Sequence, residues 1–443
     1  MKIQLSDHFT VQRLLRFVAP SILMMIFTSI YGVVDGLFVS NFVGKTSFAA
    51  INLIMPILMG LGCLGFMLGT GGSALVAKTL GEGDRERANR LFSMLVYVTL
   101  AGGLAVVVLG QAGLRPIATA LGAEGAMLED CVLYGRIILL SQPAFMLQVL
   151  FQSFFVTGEK PHLGLAVTVE AGLTNMALDF LFIAVFGWGL AGAAVATALS
   201  EGVGGLVPLV YFSRRNSSLL RLIPAKPDWN ALGKACSNGA SELMTNLSMS
   251  LVNILYNLQL MRMVGPDGVA AYGVIMYVNF FFVAIFLGYS IGVAPIIGYH
   301  YGAANRGELK NLLFKSLTLL GATGCVLMVS AIGLALPLAS VFVGYDRALL
   351  ELTCRGLRLY SLSFLLVGLN IFGSAFFTAL NNGAVSAAIS FLRTLLFQLT
   401  AVFLLPIFLG VDGIWLAIVA AELLASGVTV FFLVRNNARY HYA

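Results

Sequence analysis

Asp35, Tyr134, Asn175, Asp179 and Thr197 are oxygen-bearing side chains set in apolar runs in the N-terminal half of the chain. Asn175 precedes Asp179 by four residues, so an α-helix stacks the two on one face, a turn apart. Two carboxylates with an amide, a hydroxyl and a phenol make one of two things. They form an oxygen-rich site for a hard cation such as sodium, or a cluster that takes up a proton, because desolvation and like charge both favour a neutral carboxyl. Four further acids, Glu170, Glu201, Glu242 and Glu422, also fall in apolar segments. An ionised side chain at a bilayer centre costs ~2.5–3.5 kcal/mol, so each needs a partner, a water-filled cavity or a proton.

Other chemistries find little support. The four histidines (His8, His162, His300, His441) are isolated, without metal-ligand spacing or a nucleophile–base pair, so no enzyme is expected. No GxxxxGK[ST] loop is present, so ATP-driven pumping within this chain is not expected, and no cofactor is implied. The five cysteines are widely spaced, lack a CxxC pair and read as small packing residues.

The elements that must position these oxygens are membrane helices. Hydrophobic residues make up 59% of the 443 and charged residues 10%, against about 25% charged in a soluble protein. Mean hydropathy is +0.93, and the 48 glycines suit close helix packing in lipid. Apolar stretches predict twelve helices, at about 17–42, 46–79, 90–113, 128–155, 163–186, 190–212, 232–263, 268–300, 312–337, 352–379, 384–408 and 413–434. Pro20, Pro56, Pro143 and Pro295 are expected kink sites. The start, with acid and base before the first span, carries no signal-peptide pattern. Most of the 26 Lys and Arg fall in loops on the side of the termini, which predicts both termini cytoplasmic in a plasma-membrane protein. Scattered through short loops, they do not form a nucleic-acid stripe.

Depth arithmetic groups the site. Asp35 lies seven residues before Phe42 and Asp179 seven before Phe186, so at ~1.5 Å per residue both sit about 10 Å below the outer boundary. Thr197, seven residues into the sixth span, reaches the same level, and Tyr134 a comparable one.

The chain repeats itself. A shift of 221 residues places Gly44, Ala49, Ala50, Ile54 and Met55 on Gly265, Ala270, Ala271, Ile275 and Met276, and Gly71, Gly189, Gly192 and Glu201 on Gly292, Gly410, Gly413 and Glu422. With one residue more, Glu86 and Asn89 fall on Glu308 and Asn311. The fold expected is an all-α polytopic membrane protein, twelve helices in two pseudo-symmetric six-helix lobes around a central cleft. The lobes are read as 1–213 and 231–443, joined by a cytoplasmic linker at 214–230. Rocking such lobes would open the cleft to alternate sides, which is the geometry of a secondary transporter.

Tyr31-Gly-Val-Val-Asp35, Asn175-Met-Ala-Leu-Asp179 and Gly189-Leu-Ala-Gly-Ala-Ala-Val-Ala-Thr197, within two six-span halves, resemble the multidrug and toxic compound extrusion family, closest to its MepA-like branch. The resemblance covers essentially the whole chain. It implies an antiporter in which sodium or proton entry drives export of amphipathic, mainly cationic drugs. It also implies a coupling ion in the N-terminal lobe, carried onto Asp35, Asn175, Asp179 and Thr197. The second half keeps no equivalent, since the shift sets Tyr256 opposite Asp35 and Thr400 opposite Asp179; Glu242 is a second acidic candidate, or a partner of Asn246. Tyr31, Met55, Tyr256, Met276, Tyr277, Asn279 and Phe280 are candidate cavity residues, because thioethers and aromatic faces suit organic cations. The alternative is a lipid or lipid-linked saccharide flippase, which calls for several buried bases where this sequence shows mainly acids. Partners expected are drugs and the lipid bilayer, with the chain acting as a monomer.

Overall fold

The computed structural model describes residues 3–442, and the described residues are overwhelmingly helical. Six helices build the N-terminal lobe: α1 (Val11–Phe42), α2 (Lys45–Gly81), α3 (Arg85–Ala120), α4 (Gly125–Thr157), α5 (Pro161–Asp179) and α6 (Gly189–Ser213). The C-terminal lobe holds α7 (Trp229–Met263), α8 (Pro266–Gly302), α9 (Arg306–Gly333), α10 (Ala335–Val343), α11 (Arg347–Ser361), α12 (Phe364–Ala379), α13 (Gly383–Phe391), α14 (Gln398–Leu409) and α15 (Val411–Tyr440). Loop residues cap the helices on the side of the termini: Thr10, Asp84, Asp228, Asn305 and Asn382 each accept a backbone N–H of the first turn.

Twelve crossings result, with departures from the predicted uniform spans. Among the described residues ten helices are long and apolar enough to cross a bilayer, and α11 with α12, bent by 47°, makes an eleventh. The twelfth, α7, fails that test because Asn238, Ser241, Glu242, Thr245 and Asn246 occupy its first half, where it packs on α2 and α13 instead of lipid. The ninth span breaks at Leu334 into α9 and α10, four residues after Gly333 comes Pro337, whose ring cannot follow an intact helix. The fifth and eleventh spans each pass through a π-helical turn, Phe180–Val185 after α5 and Leu392–Phe397 between α13 and α14.

The lobes touch along α1–α8, α2–α7 and α2–α8, in the half nearer the termini. Glycine makes this seam. A Cβ on Gly239 would overlap the Met67 carbonyl oxygen, one on Gly71 the Ala235 carbonyl, and one on Gly288 would lie 2.5 Å from Ile22 Cα. Helix backbones therefore meet directly, as small residues allow. Towards the far side Met59, Leu251, Ile254 and Phe280 stay exposed.

Two extended lead-in segments cross between lobes at the closed end. The one before α7 lies on α3: Asn89 Oδ1 accepts from Arg221 N at 2.9 Å, Ser93 Oγ accepts from Ile223 N at 2.9 Å, and Arg85 donates to the Ser218 and Leu219 carbonyls at 3.0 Å. The one before α1 lies on α9: Glu308 Oε1 accepts from Phe9 N at 2.9 Å, and Asn311 Nδ2 and Lys315 Nζ donate to the Phe9 carbonyl at 3.0 and 2.7 Å. Asn89 and Asn311 are repeat counterparts, and each bonds the backbone of an incoming segment, Asn89 as acceptor and Asn311 as donor. Leu5 and Phe9 are buried, and they pack with the C-terminal core.

Candidate functional site

In the N-terminal lobe α1 supplies Asp35, α4 Tyr134, α5 Asn175 and Asp179, and α6 Thr197 and Glu201. The backbone departs from α-helical winding directly after Asp179, a device that recurs at functional sites. Gly172 on α5 leaves room for α1 aromatics, since a Cβ there would lie 2.5 Å from Phe27 and 2.9 Å from Tyr31.

The structure brings the sequence-selected group together. Asp35 and Asp179 lie in each other's electrostatic field, and the Tyr134 phenol lies in the field of both and of Glu201. Asp35 Oδ1, both Asp179 oxygens, Asn175 Oδ1 and Thr197 Oγ1 are all buried, and none has a hydrogen-bond partner among the described residues. Buried oxygens without partners are costly, and a bound ion, proton or water relieves that cost. Oxygen donors with carboxylate charge suit sodium, and two neighbouring buried carboxyls suit a proton. Tyr31 lies in the electrostatic field of Asp35 and Glu201. Glu201 Oε2 sits 2.5 Å from Ser141 Oγ, which gives that acid a local partner, whereas Glu170 is exposed.

The second cluster, in the C-terminal lobe, centres on a residue that sequence reasoning missed. Arg393, in the second π-helical turn, donates Nε to Glu422 Oε1 at 2.8 Å and Oε2 at 3.0 Å. Asn370 Nδ2 donates to Glu422 Oε2 at 2.7 Å, and Thr429 Oγ1 donates to Asn370 Oδ1 at 2.9 Å. Glu422 is 0% exposed and Arg393 13%. An arginine amid Phe391, Leu392, Leu395 and Leu396 in a span was the available signal, because a base at that depth needs an acid. Glu242 lies in the field of Arg393, and Cys63, across the lobe boundary, lies in the field of Glu242; Asn246 donates to the Glu242 main-chain carbonyl at 2.8 Å, not to its carboxylate.

The proposed cavity side chains lie in unlike surroundings. Tyr31, Met55, Met276 and Asn279 are half-buried, and Tyr277 and Phe280 exposed, with Tyr277 stacked on Phe342 at 5.6 Å. Tyr256 is 2% exposed and stacked on Tyr272 at 5.0 Å, inside the core of its lobe.

Two pseudo-symmetric six-helix lobes, closed on one side by a glycine seam and holding buried acids, define a polytopic membrane transporter. The MatE family model matches the chain twice, over residues 20–181 and 243–404, once in each half. The chain belongs to the MatE family, whose members are multidrug efflux transporters and not enzymes. It is 24% identical over 427 residues to the multidrug export protein MepA of Staphylococcus aureus strain MRSA252, covering 96% of this chain and 94% of that one. The MepA of Staphylococcus saprophyticus is likewise 24% identical, over 436 residues. Among solved structures, a MATE transporter in complex with MaL6 superposes with a TM-score of 0.93 at 21% identity, covering 98% of both chains. An outward-facing multidrug resistance MATE transporter of the MOP superfamily gives the same score, identity and coverage.

Proposed function

We propose that this chain is a secondary antiporter that exports amphipathic, mainly cationic compounds in exchange for a proton or sodium ion bound at Asp35, Asn175, Asp179 and Thr197, beside Tyr134. The observation that carries the reading is the group of five buried, unpartnered oxygens. Ion loading there offsets acid charge in the N-terminal lobe, and ion release leaves that charge free to favour a cationic drug, so the two guests alternate. By the positive-inside distribution both termini are cytoplasmic in the plasma membrane, and the open side of the cleft is the outer side. The division into lobes at 1–213 and 231–443 around the 214–230 linker, and action as a monomer, belong to the same reading. Tyr31, Met55, Met276, Tyr277, Asn279 and Phe280 are assigned to drug contact on chemistry alone.

The test uses purified protein in proteoliposomes, with a proton or a sodium gradient imposed singly and a fluorescent organic cation as reporter. One gradient drives transport in the native protein, and Asp35→Asn and Asp179→Asn each abolish the driven component. Full driven transport in both variants, or no response of the native protein to either gradient, overturns the proposal.

A further inference from the structure

Glu201 and Glu422 are repeat counterparts, yet the lobes treat them differently. The N-terminal lobe sets Asp35, Asp179 and Glu201 in one another's field, with no base acting on them among the described residues. The C-terminal lobe holds the Glu422 carboxylate against a guanidinium with both oxygens engaged, and Asn370, fixed by Thr429, completes the donor set. Arg393 thereby supplies the positive charge that a proton or sodium ion would bring. Unlike those ions it is tethered to the eleventh span and cannot leave.

We infer that Arg393 is a built-in counter-cation that shuts the Glu422 site of the C-terminal lobe to exchangeable ions. For its meaning in transport this rests on the antiport reading; the ion-binding test below does not. The side chains within electrostatic reach are few. Arg393 comes from the span packed on α15, Glu242 and Tyr256 from α7, Tyr360 from α11 and Asn370 from α12. Without the guanidinium, Glu422 would keep only the Asn370 amide as a donor. A carboxylate left so in an apolar interior takes up a proton or a cation.

The experiment is a difference titration of purified full-length protein, counting protons bound on acidification with and without sodium. Arg393→Met, close to arginine in length, binds one more proton than the native protein, or one sodium ion in its place, and adding Glu422→Gln returns the count to the native value. Glu422→Gln alone leaves the native count unchanged, since that acid is already neutralised. An Arg393→Met protein with the native count, or a Glu422→Gln protein lacking one native proton, overturns the inference. Where Arg393→Met does not fold, the Glu422→Gln measurement decides by itself. Asp35→Asn and Asp179→Asn in the same titration report on the N-terminal site. Unchanged counts there would sink the coupling assignment while leaving the Arg393 result to stand or fall alone.

Discussion

The seam between α1 and α8 offers a quantitative handle on the closed state. Gly288 faces backbone only: an added Cβ would lie 2.5 Å from Ile22 Cα, 2.7 Å from the Ser21 carbonyl oxygen and 2.9 Å from Ile22 N. Ordinary contact begins near 3.4 Å, so Gly288→Ala demands that the helices part by roughly 1 Å, and no side chain can rotate out of the way. Overpacking of this kind costs about 1–3 kcal/mol. The strain exists only while the lobes meet on the side of the termini, so it shifts the conformational equilibrium towards separation there by about 5–150-fold. Gly273→Ala on the same helix is the control, because nothing lies within 4 Å of its Cβ position. Distances between paired spin labels on the terminal-side ends of α2 and α8 read the populations. Gly288→Ala lengthens them and Gly273→Ala does not. Unchanged distances in Gly288→Ala, or equal shifts in both variants, would show that the seam does not set the equilibrium.

Other substitutions address the straps, the core and the coupling site. Glu308→Ala removes the acceptor of Phe9 N and the neighbour of His8, 2.6 Å away, so the segment before α1 gains amide hydrogen exchange while α9 keeps its protection. Phe92 packs on Phe154, Phe212 and Phe151 with ring centroids 4.9, 5.1 and 6.3 Å away; Phe92→Ala lowers stability by about 3–5 kcal/mol, visible as a lower thermal midpoint in detergent. Thr197→Val withdraws one neutral oxygen at constant volume. Losing a partner of a charged guest costs about 1.5–3 kcal/mol, so sodium-driven transport falls at least tenfold and proton-driven transport persists.

The sequence carried the fold because in lipid the apolar run is the element, and a repeat fixes how the elements group. A uniform rise per residue also converts spacing into depth, and Asp35 and Asp179, set at one level by that arithmetic, lie in each other's electrostatic field. Arg393 escaped because topology counting treats every base as a loop residue, and a lone arginine inside a span is visible only when its acid is sought. The polar first half of α7 looks unfit for a membrane until α2 and α13 are known to cover it. Cavity side chains were the least legible. An exposed aromatic residue and one in the core of its lobe, as Phe280 and Tyr256 are, look alike in one dimension.

The crossed lead-in segments bear on how such a chain arose. Each six-helix half receives its clamp from the segment that leads into the other half, so neither half is complete alone. Two identical copies related by a two-fold axis along the membrane normal would make the same exchange, each laying its lead-in on the third helix of its neighbour. The linker on α3 and the amino-terminal segment on α9 have the form that such an exchange leaves when one chain carries both halves. The pairing of Glu422 with Arg393 lies inside the second lobe, so the lobes differ in their buried acids while the clamps between them match.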